Sequence, residues 1–479
     1  MLPPEFTHIS QDIRARMHTL MVADVNGTMI PDLLSAEELI LAFVQNLGRE
    51  LMQDYVDACS EQVLANRPPC NCGRPMEILK RRSWIRETLL GPIVVSDPYL
   101  YCRRCHENEA PARARLGTGR EPWSLPTQEA AVDLASDESC GKAVAKLARH
   151  HPGVDMGRTT ALELLHHHGA EAREFIDKKL AAAHAQAEAG VVPESSAAAL
   201  EVEFDASMIP VATMEPIEVA PGEEPKRTPV RGLPVRRKNA RWEEVKAGLV
   251  QNPGEKERLY TLRPTSDLNE CFDDLLSLAS LMGWNPETQV RGIADGAIHI
   301  RPHMEKVFSQ GNFRFILDRP HCKEHLGEAG TMLEPSTGVP AQDWARDALK
   351  LMETGRAADV VAELRSAHEA SGVDQSSRND GLRLAANYFE RNEDAVAYAD
   401  YRQQGWSTAS SEIESGHRHT VQARMKISGA WWHPDGVDDI LALRMLKANG
   451  WWDEYWTWKR HEWRVNAQQM SSTLPRTQS

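Results

Sequence analysis

Leu200-Glu-Val-Glu-Phe-Asp205 is the stretch of sequence from which the organisation of the chain can be worked out. Apolar and acidic residues alternate along it, which is the period-two pattern of a β-strand. Downstream, the patterns predict strands at residues 242–250, 258–262, 289–294 and 313–317, with helices before the last two. The sequence therefore predicts a mixed α/β unit that begins with this stretch.

The order of these predicted elements, β-β-β-α-β-α-β, is the ribonuclease-H-like order. We expect residues 197–335 to form the first part of such a core, and residues 406–467 to form its C-terminal part. Residues 336–405 are helical and polar, which indicates an insertion, and residues 468–479 are expected to be a disordered tail. The expected fold class is thus multidomain α+β with an α/β core.

Two close pairs of cysteines precede this core. Cys70-x-Cys72 is followed, after 29 residues, by Cys102-x-x-Cys105, and four thiolates in two pairs can complete a tetrahedral Zn²⁺ site. Gly73 permits the tight turn that follows the first pair. We predict a zinc ribbon over residues 66–122, with buried apolar cysteines as the alternative. The eight cysteines of the chain are too few for a disulfide scaffold and favour a reducing compartment.

The segments on either side of the ribbon have helical patterns. Residues 1–65 are predicted to be a helical region, in which Ser35-x-x-Glu38 fits a capping box. Residues 123–190 contain two short helical patterns and a longer one that starts at Gly157. This order predicts a helix-turn-helix with a connecting helix.

The composition limits the classes of function. The net charge of −14 argues against a protein that coats nucleic acid through a global positive field, but it allows local basic patches. No apolar run approaches the ~20 residues of a membrane span, and the N-terminus lacks the pattern of a signal peptide. We therefore expect a cytoplasmic protein without a membrane partner.

Three acidic residues, Asp205, Asp295 and Asp318, directly follow apolar runs of predicted strands. Carboxylates at the carboxyl ends of adjacent parallel strands meet at one edge of a sheet, where ligands bind in open α/β folds. Such carboxylates repel one another unless a cation such as Mg²⁺ lies between them. The pattern favours a divalent-metal site, and turn-initiating aspartates are the alternative.

A further acid, Glu414, lies in the segment Glu412-Ile-Glu414-Ser-Gly-His417-Arg418. On a helix, Glu414, His417 and Arg418 share one face, which suits a metal ligand flanked by phosphate contacts. A surface face of ion pairs is the alternative. The seven tryptophans between Trp431 and Trp463 could stack on unpaired bases, although packing in a core is the more common role.

Together these motifs resemble bacterial insertion-sequence transposases of the ISKra/ISLre type, which are of the DDE class. The resemblance covers roughly residues 60–465. The matching stretches are Cys70-Asn-Cys72-Gly73, Tyr101-Cys102-Arg-Arg-Cys105, Val202-Glu-Phe-Asp205, Ala294-Asp295-Gly296-Ala297, Ile316-Leu-Asp318-Arg-Pro-His321-Cys-Lys-Glu-His325-Leu326, Ile413-Glu414-Ser415-Gly416-His417-Arg418 and Arg424-Met-Lys426-Ile-Ser-Gly429-Ala-Trp431-Trp432. Each motif is short, but their order and spacing are specific.

The resemblance implies that Asp205, Asp295 and Glu414 bind Mg²⁺ or Mn²⁺ and catalyse DNA strand cleavage and strand transfer. It implies that Asp318 belongs to the catalytic site, where it holds metal, orients the site or contacts DNA. The family's Gly-Ser-Gly before the glutamate is replaced here by residues 409–411, Ala-Ser-Ser. A catalytically degraded or repurposed DNA-binding protein is therefore the alternative.

The implied partner is double-stranded DNA, both terminal repeats and target, bound by a homo-oligomer associated with the bacterial nucleoid. A basic loop is predicted after the first core strand, because residues 226–246 carry 8 Lys/Arg against 2 Asp/Glu. The predicted DNA contacts are Arg103, Arg104, Arg158, Arg236, Arg237, Lys238, His417, Arg418, Arg424 and Lys426. For each basic cluster, a solvated surface face is the alternative.

Overall fold

The computed structural model describes Ile13 and residues 32–67, 69–116, 122–191, 193, 195–216, 236–264, 268–372 and 380–472. The chain divides into two compact units. The first comprises Met1–Leu134, Cys140–Ala161 and Trp456–Ser479, and the second comprises Ala135–Ser139 and Leu162–Tyr455. None of the helices in the described ranges is long and apolar enough to cross a membrane.

The first unit contains an antiparallel sheet in the order β1-β2-β3. Its strands are β1 (Glu77–Thr88), β2 (Gly91–Tyr101) and β3 (Asn108–Glu109). A long helix, α1 (Leu33–Ala65), packs against β2, where Val56 meets Ile93 and Val95 in an apolar cluster. The predicted capping box at Ser35 is wrong, because Asp32 is the N-cap and its carboxylate accepts the Ser35 N–H at 2.8 Å.

Further helices of the chain lie where the sequence predicts a helix-turn-helix. They are α2 (Pro111–Leu116), α3 (Leu125–Asp137), α4 (Cys140–His150) and α5 (Arg158–Glu188). The prediction of two short helices and a long third one is confirmed over residues 123–190. The long helix begins directly after Gly157, as the pattern indicates.

The second unit is built on a five-stranded mixed sheet in the order β6-β5-β4-β7-β8. Its strands and intervening helices are β4 (Ala199–Pro216), β5 (Arg236–Gln251), β6 (Arg258–Pro264), α6 (Leu268–Leu281), β7 (Gln289–Ala294), α7 (Ile300–Val307) and β8 (Asn312–Leu317). The first three strands pair antiparallel, whereas β4, β7 and β8 run parallel. The predicted order of strands and helices is confirmed.

The core of this unit lies between the sheet and α6. Alternate residues of β4 point to that helix, and the ring of Phe204 stacks on Phe272 with centroids 4.8 Å apart. Gly248 lets α6 approach β5 closely, since a Cβ at this position would lie 2.6 Å from a methyl carbon of Leu275. This packing fixes β4 at the centre of the sheet and leaves its other face for the helices that follow the insertion.

The structure corrects two predictions about the first core strands. β4 continues to Pro216, so Asp205 lies inside the strand rather than just past its end. Arg236, Arg237 and Lys238 lie on β5 and not in a loop, because each pairs with a residue of β4. Residues 239–246 of the predicted basic loop also lie on β5, and residues 226–235 lie outside the described residues.

The predicted insertion is helical, as expected. Only the last two residues of α8 (Arg319–Thr337) fall within it. It then contains α9 (Ala341–Glu353), α10 (Ala357–Ser371), α11 (Gly381–Arg391) and α12 (Tyr398–Gln403). After it come α13 (Ser411–Gly416), a π-helical turn (His417–Gln422), α14 (Ala423–Met425), α15 (Val437–Ala448) and α16 (Trp452–Ser472). Helix α16 thus extends into the predicted tail, and residues 473–479 lie outside the described residues.

Candidate functional site

The four clustered cysteines lie on two tight turns of the first unit. In the first turn, the Gly73 N–H donates to the carbonyl of Cys70 at 2.7 Å, and Gly73 has a φ of 81°, a region that favours glycine. In the second turn, the His106 N–H donates to the carbonyl of Cys102 at 2.9 Å. Strands β1 and β2 separate the two turns along the chain and bring them together at one end of the hairpin.

The sulfur atoms of Cys70, Cys72, Cys102 and Cys105 all lie within 4.8 Å of one another. The Sγ atoms of Cys72 and Cys102 are 3.7 Å apart, and a tetrahedral site with Zn–S bonds of about 2.3 Å requires about 3.8 Å. The backbone N–H groups of Cys105 and Arg104 lower the pKa of Cys102 to about 7, which favours the thiolate form that binds metal. Burial and hydrogen bonds with the neighbouring thiols raise the pKa of Cys70 and of Cys105. This cluster could hold a zinc ion.

Asp205 and Asp295 lie at one edge of the parallel part of the sheet in the second unit. The parallel pairing of β4 with β7 ends at Glu203 and Ile293, so each aspartate lies two residues beyond that last pair. Both side chains are partly exposed. The carboxylate of Asp295 accepts the N–H of Ala297 at 2.9 Å. Asp295 therefore lies at the predicted carboxyl edge, directly after β7, whereas Asp205 lies inside β4, just beyond the end of the parallel pairing.

Glu414 is on α13, which lies over the same face of β4 as Asp205. The Ile413 N–H donates to the Glu203 carboxylate at 2.7 Å, and Nε2 of His417 is 3.5 Å from an oxygen of Asp205. Burial lowers the pKa of His417, whereas the charges of Asp205 and Glu414 both raise it. The side chain of Glu414 itself is exposed. His417 thus lies in the electrostatic field of the first and third predicted acids.

Asp318, which is 1% exposed, ends β8 and begins α8. One carboxylate oxygen accepts the N–H and the hydroxyl of Ser410, at 2.7 and 3.0 Å. The other accepts the N–H and Nδ1 of His321, at 2.9 and 2.7 Å. Burial would raise the pKa of Asp318, but these hydrogen bonds lower it. Because both oxygens are fully used, the geometry favours an orienting role for Asp318 over that of a metal ligand.

His321 is the cationic partner of this buried carboxylate. Its hydrogen bond to Asp318 raises its pKa to about 9, and the charge of Asp295 acts in the same direction. The ring is therefore protonated at neutral pH and lies in the electrostatic environment of the second predicted acid. In the sequence, His321 stands out only as part of a longer motif, and its spacing of three residues from Asp318 is the available signal.

Glu203 is a member of the site that sequence analysis did not single out. It is completely buried on β4, and burial raises its pKa to about 8, with the charges of Glu201 and Glu412 adding to the shift. Its carboxylate holds α13 through the Ile413 N–H. The available signal was the acid at every second position of the first core strand, on the same face as Asp205.

The three acids predicted to bind metal are not gathered into a compact group. In the part of the chain that the structure describes, the four cysteines are the one set of three or more potential ligands with atoms within 4.8 Å of one another. Asp205 and Asp295 lie near the end of the parallel pairing of β4 and β7, and Glu414 is exposed on α13.

Most of the predicted DNA-binding side chains are exposed, and two are not. The exposed ones are Arg103, Arg104, Arg158, Arg236, Arg237, Lys238, Arg418 and Lys426. His417 and Arg424 are only 2% and 1% exposed. Arg424 lies over the ring of Trp432 and donates to the carbonyl of Ala135 at 3.1 Å. The prediction of a surface DNA contact is corrected for both, since their side chains lie in the interior.

Comparisons with known proteins add no family to this description. No protein-family model matches the chain, and no curated protein matches it significantly.

Proposed function

We propose that this protein is a DDE transposase, which binds the terminal repeats of an insertion sequence and catalyses metal-dependent DNA cleavage and strand transfer. The observation that carries the proposal is the sheet order β6-β5-β4-β7-β8, with Asp205 and Asp295 at the carboxyl edge of its neighbouring parallel strands. The order and directions of the strands agree with a ribonuclease-H-like core. Two of the acids implied by the motif resemblance stand on adjacent strands of that sheet.

The position of the third acid also supports this proposal. Glu414 comes after the helical insertion along the chain, yet α13 contacts β4 through the Ile413 N–H and Glu203. His417, one turn further on, lies 3.5 Å from Asp205. The turn that starts at His417 is π-helical, and π-turns inside helices are frequent at functional sites.

The chemistry of the acidic residues fits divalent cations. Asp205, Asp295 and Glu414 offer carboxylate oxygens, the ligands that Mg²⁺ prefers, on side chains that solvent can reach. When bound, a pair of Mg²⁺ or Mn²⁺ ions would activate the attacking hydroxyl and stabilise the leaving 3′ oxygen. The chain's own contribution would be to orient α13, which carries Glu414. Asp318, at the end of β8, accepts the N–H of Ser410, and Glu203 on β4 accepts the N–H of Ile413.

The proposed partner is double-stranded DNA, both terminal repeats and target, bound by a homo-oligomer in the bacterial cytoplasm. Exposed cations support DNA binding in each unit, such as Arg104 and Arg158 in the first and Arg236 and Arg237 in the second. Phosphate contacts of this kind need only local positive charge and not a positive protein. A zinc-stabilised hairpin in the first unit is consistent with a DNA-binding role.

A second candidate is a catalytically degraded transposase that retains DNA binding. Two observations favour it over an active transposase. The carboxylates of Asp205, Asp295 and Glu414 do not form a group of ligands within 4.8 Å of one another, although all three are described. The segment before Glu414 has Ala409-Ser410-Ser411 in place of glycines, so it is less free to reposition the glutamate.

The test is a nicking assay with Mg²⁺ or Mn²⁺ and a labelled duplex that carries the inverted repeat flanking the gene. A nick at the repeat boundary that Glu414→Ala abolishes would support the transposase. Glu412→Ala is the matched control, because this neighbouring acid pairs with Arg258 at 2.6 Å and should not be required. Specific binding of the repeat without cleavage under either metal would instead establish the degraded protein.

A further inference from the structure

Beyond the five-stranded sheet, β4 and β5 continue as a two-stranded ribbon. β4 pairs with β7 only as far as Glu203, and β5 pairs with β6 only from Val245 onward. The two strands nevertheless remain paired with each other out to Pro216 and Arg236. Residues 206–216 and 236–244 therefore form a ribbon that extends beyond the sheet, with Ile209 and Val211 buried on one of its faces.

One face of this ribbon is apolar and carries aromatic rings. Lys238 pairs with Met214, and Trp242 pairs with Pro210. Directly paired residues share a face, and side chains alternate along each strand. Positions 238 and 242 of β5, and positions 210 and 214 of β4, thus lie on the same face. Met208 belongs to it by the same alternation.

Trp431 extends this face on the far side of β4. Trp432 forms a β-bridge with Val211, whose side chain lies on the face opposite to that of Trp242. Because side chains alternate along a strand, Trp431 lies on the same face as Trp242. The ammonium group of Lys238 confirms this placement, since it lies 3.8 Å from the centroid of the Trp431 ring. Two tryptophans and one cation consequently stand on the same side of the ribbon.

The exposure of these rings is unusual. Trp242 is 58% and Trp431 40% exposed, and Met208 and Met214 beside them are also exposed. Among the described residues, no hydrogen bond or ring contact involves Trp242. Large aromatic side chains contribute most when a partner covers them, and grouped exposed apolar side chains mark binding surfaces.

The charge of the ribbon identifies the kind of partner. The face of Trp242 carries two cations, Arg236 and Lys238, in a chain of net charge −14. Its one acid, Glu244, lies 3.6 Å from the ammonium group of Lys246. Arg237 and Arg241 lie on the opposite face, where Glu215 and Glu243 are also placed. A second copy docked on the face of Trp242 would bring Arg236 and Lys238 close to their counterparts, which is unfavourable. A polyanion with flat rings meets both requirements. In a duplex the faces of the bases are stacked on one another, so only unpaired bases can stack on the tryptophans.

We propose that this ribbon, with Trp431, is a binding site for unpaired nucleotides, in which Trp242 and Trp431 stack on bases and the neighbouring cations contact phosphates. This inference rests on the proposed function, because cleavage at the end of an element creates strand ends whose bases can leave the duplex. The ribbon would then prefer single-stranded over double-stranded DNA. Phosphate contacts alone would not produce this preference, because both forms carry phosphates.

The test measures binding by fluorescence anisotropy with a labelled oligothymidylate of about 12 nucleotides, and with a duplex of equal length. Trp242→Ala should weaken oligothymidylate binding on the order of 10-fold while duplex binding changes little. Trp242→Phe keeps a ring and should retain most of the affinity, whereas Trp242→Leu should behave like Trp242→Ala. Leu384→Ala, at a 49% exposed apolar position of α11, is the matched control and should bind as the wild type.

The outcomes separate this proposal from the proposed function. If Trp242→Ala and Trp431→Ala both bind oligothymidylate like the wild type, the stacking site is refuted, whereas nicking of the terminal repeat by the same proteins would leave the transposase standing. If the wild type neither nicks the repeat nor binds DNA of either kind, both fail. If Trp242→Ala changes the oligomeric mass of the DNA-free protein in solution but leaves oligothymidylate binding unchanged, the face binds a second copy of the chain, and the nucleotide site is refuted.

Discussion

The carboxylate of Asp318 accepts both the backbone N–H and the hydroxyl of Ser410, two residues separated by 92 positions in the sequence. Asp318 ends the last strand of the sheet, and Ser410 directly precedes the helix that carries Glu414. The bond from the Arg319 N–H to the carbonyl of Thr408, at 2.9 Å, reinforces this junction. The place where the chain returns from the helical insertion is therefore fixed by the end of β8.

Replacing this carboxylate should destabilise the second unit. Asp318→Ala leaves the donors of Ser410 and His321 unpaired in a buried position, so we expect a loss of about 2–3 kcal/mol in the free energy of unfolding. Urea denaturation measures this loss. Asp343→Ala, at an exposed position in the first turn of α9, is the control and should change stability little. A wild-type unfolding midpoint in Asp318→Ala would contradict the junction.

The ion pair of His321 with Asp318 predicts a specific dependence of stability on pH. The pKa of His321 is raised from 6.5 to about 9 in the folded state, so its stabilising contribution is complete below about pH 6.5 and is lost as the pH rises to about 9. The pKa of Asp318 is lowered, so its contribution is complete above about pH 4 and is lost at more acidic pH.

We therefore expect the wild type to be more stable than His321→Gln at about pH 6, and this difference to shrink toward about pH 9.5. Chemical denaturation of both proteins across this range measures it. His433→Gln, at an exposed position, serves as the control and should follow the wild-type curve. A difference between wild type and His321→Gln that does not vary with pH would contradict the ion pair.

The cysteine cluster predicts that the purified protein contains zinc. Cys72→Ser or Cys102→Ser removes one of the four ligands, so elemental analysis should show zinc in the wild type and its loss in either variant. A strong chelator should lower the thermal midpoint of the wild type by the same reasoning. Cys140→Ser lies outside the cluster and should keep its zinc. Equal zinc contents in all four proteins would contradict the site.

The cations at the start of β5 predict a change in the salt dependence of DNA binding. Each phosphate contact contributes about 0.9 to the slope of log K against log salt concentration, so the double variant Arg236→Ala, Arg237→Ala should reduce the slope by about 2. Titrations at several salt concentrations measure it. The double variant Arg346→Ala, Arg356→Ala removes two exposed arginines of the insertion and should leave the slope unchanged. An unaltered slope in the first variant would exclude these contacts.

Much of the fold could be predicted because its signals are local. The spacing of Cys70, Cys72, Cys102 and Cys105 predicts a metal cluster, since the two cysteines of each pair are close in sequence and lie on one tight turn. The order of strands and helices in the second unit follows from the period of apolar residues within each element. The alternation of Leu200-Glu-Val-Glu-Phe-Asp205 was enough to locate the central strand.

The errors concern properties that depend on distant partners. The length of β4 is set by its pairing with β5, which continues to Pro216, and no local signal marks that end. The burial of Arg424 depends on Trp432 and on the carbonyl of Ala135, far away in the sequence. A basic residue in a polar segment therefore gave no indication that it is internal.

By itself, the sequence determined which residues could carry chemistry and which elements hold them, because side-chain type and hydrophobic period are local properties. Only the tertiary structure decided how these residues are arranged. In the folded chain Asp318 accepts hydrogen bonds from Ser410, Glu203 is buried beneath α13, and Trp242 is exposed on the ribbon. These outcomes rest on hydrogen bonds and packing between segments separated by tens to hundreds of residues, whose energies exist only once the chain has folded.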